Sequence, residues 1–174
     1  MLSFYGVKMK KNATKLLTLL LLILLIPPVS ASYEEGLKAA EKDDYKTAFK
    51  KWKKLAQKGD VKVQATVAVL YHTGQGVSKD YKKAFYWYKK AAEKGNAQSQ
   101  ANLGVMYAKG TGTKRDMVQS YAWYSVAAAA NKDKKVGNIL WGIDAVASQL
   151  SKKDMKQAKK LAQQYTKKYI AKKK

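Results

Sequence analysis

An all-α chain built as a solenoid of about four antiparallel helix pairs is what this sequence predicts, and three observations predict it. One unit is written twice at an offset of 36 residues: Gln64, Tyr71, Gly74, Gly76, Asp80, Trp87, Tyr88, Ala91 and Ala92 recur as Gln100, Tyr107, Gly110, Gly112, Asp116, Trp123, Tyr124, Ala127 and Ala128. A period in this range marks supersecondary units that stack to share a core. Apolar residues recur at helical spacing, and no window alternates as a strand does. Aspartates and glycines fall where helices of that spacing start and stop. The first and last units depart from the pattern, as end units of a solenoid do.

In chain order, residues 1–31 read as a cleaved secretory signal peptide. Lys8, Lys10, Lys11 and Lys15 precede a largely apolar run from Leu16 to Ile26, then Pro27, Pro28 and the small-residue stretch Val29 to Ala31. This order of basic flank, short apolar core and small residues predicts a cut after Ala31. The run falls short of the roughly 20 apolar residues that cross a bilayer. The expectation is a mature chain beginning at Ser32 that is not an integral membrane protein and that resides in a bacterial periplasm or outside the cell.

Residues 32–170 form the repeat domain. In the first unit, 32–59, a short helix from Tyr33 to Lys42 is followed by Asp44 as N-cap, then Ala48, Phe49, Trp52, Leu55 and Ala56 on one helical face, and Gly59 just past the end. This unit lacks the glycine loop of its neighbours. In units 60–95 and 96–131 the first helix runs near Val61 to His72 and Ala97 to Lys109. Two glycines then supply positive φ in a tight connection, and Asp80 or Asp116 caps the second helix. A phosphate-binding loop would place its glycines between a strand and a helix, whereas these leave a helix. Ala68 and Gly104 are small where paired helices are expected to touch.

The fourth unit, 134–169, is degenerate. Trp141 and Gly142 stand where Leu103 and Gly104 stand, and Asp154 stands where the capping Asp116 does. Met155, Ala158, Ala162 and Tyr165 continue an apolar face, Ser151 to Asp154 has the pattern of a capping box, and lysines such as Lys152, Lys156 and Lys160 supply a polar outer face. Residues 171–174 form a basic tail.

The run N-L-G-V-M-Y-A-K-G-T-G at Asn102 to Gly112, followed by Asp116 and then A-W-Y with paired alanines, resembles the Sel-one-like repeat, a subset of the tetratricopeptide superfamily. The resemblance implies a right-handed solenoid whose first helices line a concave face that contacts peptides or partner proteins. It places Leu37 and Glu41, then Lys62, Thr66, Val69 and Thr73, then Gln98, Asn102, Val105 and Lys109 on that face. It also assigns Trp52, Trp87, Trp123 and Tyr88 to packing between helices rather than to base stacking. Some cysteine-rich relatives bind or cleave cell-wall-like antibiotics, but this chain lacks their cysteines.

Composition narrows the function further. The chain of 174 residues is 47% hydrophobic and has no cysteine, which removes disulfides, thiol nucleophiles and cysteine zinc sites. The single histidine, His72, has no Ser or Cys partner in a recognisable motif and is read as an exposed or rim residue. The acids mostly cap helices, with Asp43 and Asp44 together at a helix start. No catalytic residue, cofactor or metal site is therefore expected. Against 12 acidic residues stand 35 basic ones, a net charge of +23, and Arg115 is the only arginine. Lys46, Lys50, Lys53 and Lys54 form a stripe opposite the apolar face of the first unit.

These features predict a non-catalytic exported adaptor or scaffold that binds another protein or peptide. The rival is a polyanion binder that uses the lysine stripe against lipopolysaccharide, anionic lipid or extracellular nucleic acid. Nothing supports sequence-specific nucleic-acid recognition, and an envelope hydrolase ranks last.

Overall fold

A computed structural model describes residues 31–131 and 137–170. The signal segment up to residue 30, the first residues of the fourth unit and the basic tail lie outside the described residues. Those that are described form eight helices and no strand: α1 Ala31–Ala40, α2 Tyr45–Lys58, α3 Val61–Thr73, α4 Tyr81–Glu93, α5 Ala97–Lys109, α6 Met117–Ala130, α7 Gly137–Ala147 and α8 Lys152–Tyr169. They pack as the pairs α1–α2, α3–α4 and α5–α6, each second helix also meeting the first helix of the next pair. The all-α repeat solenoid expected from the sequence is the observed architecture. No described helix is long and apolar enough to cross a membrane.

Capping sets the helix starts. The side chains of Asp44, Asp60, Asp80, Asn96 and Asp116 each accept a hydrogen bond from the backbone N–H three residues on, at 2.8 to 3.1 Å. Each satisfies one of the N–H groups that the first helical turn leaves free. Asp43 does not share this role, although its pairing with Asp44 suggests a helix start. It takes φ of 58° in the turn that ends α1, a left-handed conformation that Asp tolerates better than most side chains.

Within a pair, a small residue of the first helix admits a large ring of the second. A Cβ on Gly36 would run into the Trp52 indole, and one on Gly104 would come within 2.7 Å of the Tyr124 ring. Ala68, at the matching position of α3, is fully buried.

Between pairs, the recurring residues are fasteners. Gln64 Nε2 donates to the carbonyl of Ala56 and Gln100 Nε2 to that of Ala92, each at 3.0 Å across a buried joint. Phe49 meets Tyr71 edge to face at 5.1 Å, and Phe85 meets Tyr107 the same way at 5.2 Å. The glycine pair splits its work. Gly74 and Gly110 are left-handed C-caps, with φ of 83° and 68°. A Cβ on Gly76 or Gly112 would overlap the backbone at Tyr45 or Tyr81, the first residue of the second helix one pair earlier. Among the described residues no pair precedes the first unit, so its missing glycine loop leaves no described joint unfilled.

The last unit departs in two ways. Asp154 is not its N-cap: Ser151 Oγ accepts from the Asp154 N–H at 3.1 Å and donates to the Asp154 carboxylate at 2.7 Å. The capping box predicted from Ser151 to Asp154 is half formed: Asp154, the third helical residue, returns its bond to the Ser151 hydroxyl rather than to the Ser151 backbone N–H. The second departure is the placement of α8, which packs along α6 rather than along α7. Tyr165 and Tyr169 lie 4.8 and 5.4 Å from the Trp123 ring, and Tyr165 bonds to Gln119 at 3.1 Å. α7 rests on α6 from the other side, with Gly142 against the same Tyr124 ring that Gly104 meets.

Candidate binding face

The predicted concave positions fall on one side of α3 and α5. On α3, Lys62, Val69 and Thr73 are exposed and Thr66 half-buried, while Val63, Gln64, Val67, Ala68 and Tyr71 are buried on the opposite side. Val69 stands out as an apolar side chain 41% exposed. Thr66 and Thr73 turn their hydroxyls back to the carbonyls of Lys62 and Val69, at 3.2 and 3.0 Å. That leaves their methyl groups free for a partner. On α5, Gln98 and Lys109 are exposed and Asn102 and Val105 half-buried. In the first unit, Leu37 of α1 is partly covered by the core and Glu41, in the turn just after α1, is exposed.

Two of these residues also serve the fold. Asn102 lies beside the Tyr88 hydroxyl, whose ionisation burial pushes up to about 12, and it accepts from Gln98 at 3.4 Å. Val105 packs against the buried cluster around Tyr124 and Ile139. The family resemblance assigned both to the concave face but did not reveal that they touch the core.

Beside Val105 and Lys109 lies a shallow groove of about 180 Å³ between α5 and α7, lined also by Ala108, Arg115, Met117, Tyr124, Trp141, Gly142 and Gln149. Trp141 is 75% exposed and Leu140 49% exposed. Sequence alignment set Trp141 beside Leu103, which is fully buried, so its exposure was not legible. Its cause is tertiary: with α8 laid along α6, no second helix among the described residues covers the Trp141 side of α7. Arg115 was likewise unmarked. Its Nε donates to the Ala108 carbonyl and its terminal nitrogen to Gln149 Oε1, both at 3.0 Å.

The lysine stripe keeps its predicted place. Lys46, Lys50 and Lys54 are exposed on α2, and Lys53 is half-buried with its ammonium 5.7 Å from the Phe49 ring. Lys51, between them, pairs with Glu35. Lys50, Lys51 and Lys54 join Ser32 and Thr47 around a depression of about 340 Å³.

Little in the site points to bond-making chemistry. His72 is half-buried with its ring edge-on to Tyr81 at 5.1 Å, and neither a carboxylate nor a nucleophile orients it. Among the described residues no cluster of three or more His, Asp or Glu side chains is placed to hold a metal ion. Trp52, Trp87, Trp123 and Tyr88 are buried, consistent with packing rather than base stacking.

Comparison with known proteins agrees with this geometry. The Sel1 repeat family matches residues 30–60, 63–96 and 97–132. Among solved structures, the chain is similar to a protective antigen present in uropathogenic Escherichia coli strains and displaying an SLR fold. The identity is 30% and the TM-score 0.74, over 82% of this chain and 31% of that one. It is also similar to a Sel1 repeat protein from Oxalobacter formigenes, at 32% identity and a TM-score of 0.58, over 66% of this chain and 88% of the other. The chain thus spans about a third of the length of the first. A search of the curated proteins finds no match. With three successive repeats matched in sequence and the fold shared, the chain belongs to the Sel1 repeat family.

Proposed function

We propose that this protein is an exported, non-catalytic adaptor that holds another protein or peptide against the exposed faces of its first helices. The observation that carries this reading is a division of labour within each first helix. One side is consumed by the core and by the glutamine fasteners, while the other presents uncommitted small, polar and apolar groups, Val69 foremost. Such a mixture, apolar at the centre and polar around it, suits a protein partner. Membership in a repeat family whose members serve protein interaction supports it. The basic flank, apolar run and small residues before Ser32 support export.

Gentle crosslinking followed by affinity purification of the exported protein tests the reading. Val69→Glu together with Gln98→Ala should weaken capture of a specific partner by about tenfold or more, as expected for a central contact, while helicity is retained. Asn102 and Val105 are poorer targets because both touch the core. Capture unchanged by the pair would contradict the assigned face.

A second reading, polyanion binding, is favoured by the depression among Lys50, Lys51 and Lys54. Replacing Lys46, Lys50, Lys53 and Lys54 with Glu should slow association and reduce its salt sensitivity if the stripe only steers encounter. Abolished binding to lipopolysaccharide or anionic vesicles, with the Val69 variant unaffected, would favour the polyanion reading instead.

A further inference from the structure

The groove between α5 and α7 combines three properties. Its aromatic wall, Trp141, is 75% exposed. Its volume of about 180 Å³ is below the several hundred Å³ of small-molecule sites, so it suits a side chain rather than a cofactor. Its charged lining is basic and has no acidic member: Lys109 and Arg115.

Arg115 adds geometric specificity. It is the only arginine in a chain otherwise furnished with lysine, and two hydrogen bonds, to Ala108 and Gln149, hold its guanidinium at the groove. Those bonds use Nε and one terminal nitrogen and leave further N–H groups free. A guanidinium presents planar, paired donors that match a carboxylate, which an ammonium cannot do. Because it is already held, less side-chain freedom remains to be lost on binding.

We propose that this groove takes a short peptide segment of a partner protein in which a large apolar side chain lies one or two residues from a carboxylate. The apolar side chain packs on Trp141, Val105 and Ala108. The carboxylate, from Asp, Glu or a chain terminus, bonds to Arg115 with Lys109 beside it. The proposal rests on the adaptor reading and narrows its partner to an acidic, apolar peptide.

Fluorescence anisotropy with fluorescein-labelled eight-residue peptides tests it on the purified protein at physiological salt. One set carries a central Phe, Leu or Trp with Asp or Glu one or two residues away. A second replaces the acid with Asn or Gln, and a third keeps the acid but replaces the apolar residue with Ser. The third set measures what the net positive charge does alone. The first set should bind at least about tenfold more tightly than either control, since charge-assisted bonds and a buried anchor are both lost from the controls. Trp141→Ala should cost at least about tenfold, and Arg115→Lys should erase the preference for acid over amide while keeping the charge.

Equal binding of the three sets, or both variants behaving as the unmodified protein, would overturn the proposal. So would concentration-dependent self-association lost in Trp141→Ala, which would make a second copy of the chain the occupant. A crosslinked partner lost in the Val69 variant but retained in Trp141→Ala would leave the adaptor reading standing and sink this one. Peptides that bind as expected while no protein is captured would do the reverse.

Discussion

Tyr88 illustrates how one residue couples packing to ionisation. Its ring is buried in the second pair with its hydroxyl beside Asn102, and burial lifts its ionisation from the usual 10.0 to about 12. The folded state therefore favours the neutral phenol. Its contribution is complete below pH 10 and is lost as pH rises from 10 through about 12, by roughly 2 to 3 kcal/mol at most. Thermal unfolding followed across that window should show a shallower decline for Tyr88→Phe than for the unmodified protein. An identical slope would place the alkaline sensitivity elsewhere, for instance in Tyr107, Tyr124 and Tyr165, whose ionisation burial also raises. The loop glycines give a second residue-scale test. Gly110→Ala should cost about 1 to 2 kcal/mol for its left-handed conformation. Gly112→Ala should cost clearly more, because its Cβ would also overlap the Tyr81 backbone and force two pairs apart. Equal costs in chemical denaturation would remove the joint role assigned to the second glycine.

Among the elements, α8 behaves unlike any other second helix. Its apolar face was legible, since Ala158, Ala162 and Tyr165 recur at helical spacing, but spacing says only that a face is buried, not against which helix. Tyr169 stacked on Trp123, with Tyr165 tilted against the same ring, provides the answer. Trp123→Ala should cost about 3 to 5 kcal/mol, the usual range for a buried large aromatic, and should loosen α8 in hydrogen exchange. Trp87→Ala should cost a similar amount but leave α8 protected. A loss below about 0.5 kcal/mol for either, typical of a surface site, would contradict the packing.

For the whole molecule, the leading question is where the folded chain begins and in which compartment it works. Intact mass of the exported protein should give Ser32 as the first residue. Retention of Leu16 to Ile26 would instead favour an anchored form. From Ser32 onward 31 basic residues stand against 12 acidic ones, a net charge of +19, which should make encounter with any acidic partner faster at low salt, within the reach of Debye screening.

Sequence alone determined the architecture because the fold is a repetition, and repetition is written in one dimension. The 36-residue offset, the capping aspartates and the glycine pairs are local signals that each unit must satisfy to form its two helices. The family resemblance carried by those signals assigned Lys62, Val69, Gln98 and Lys109 to one face of their helices, and all four are exposed. Tertiary structure alone decided the ends. Nothing local states that α8 turns onto α6. Nothing local exposes Trp141 or brings Arg115 beside it, because each of these depends on which helix is absent from a neighbouring position.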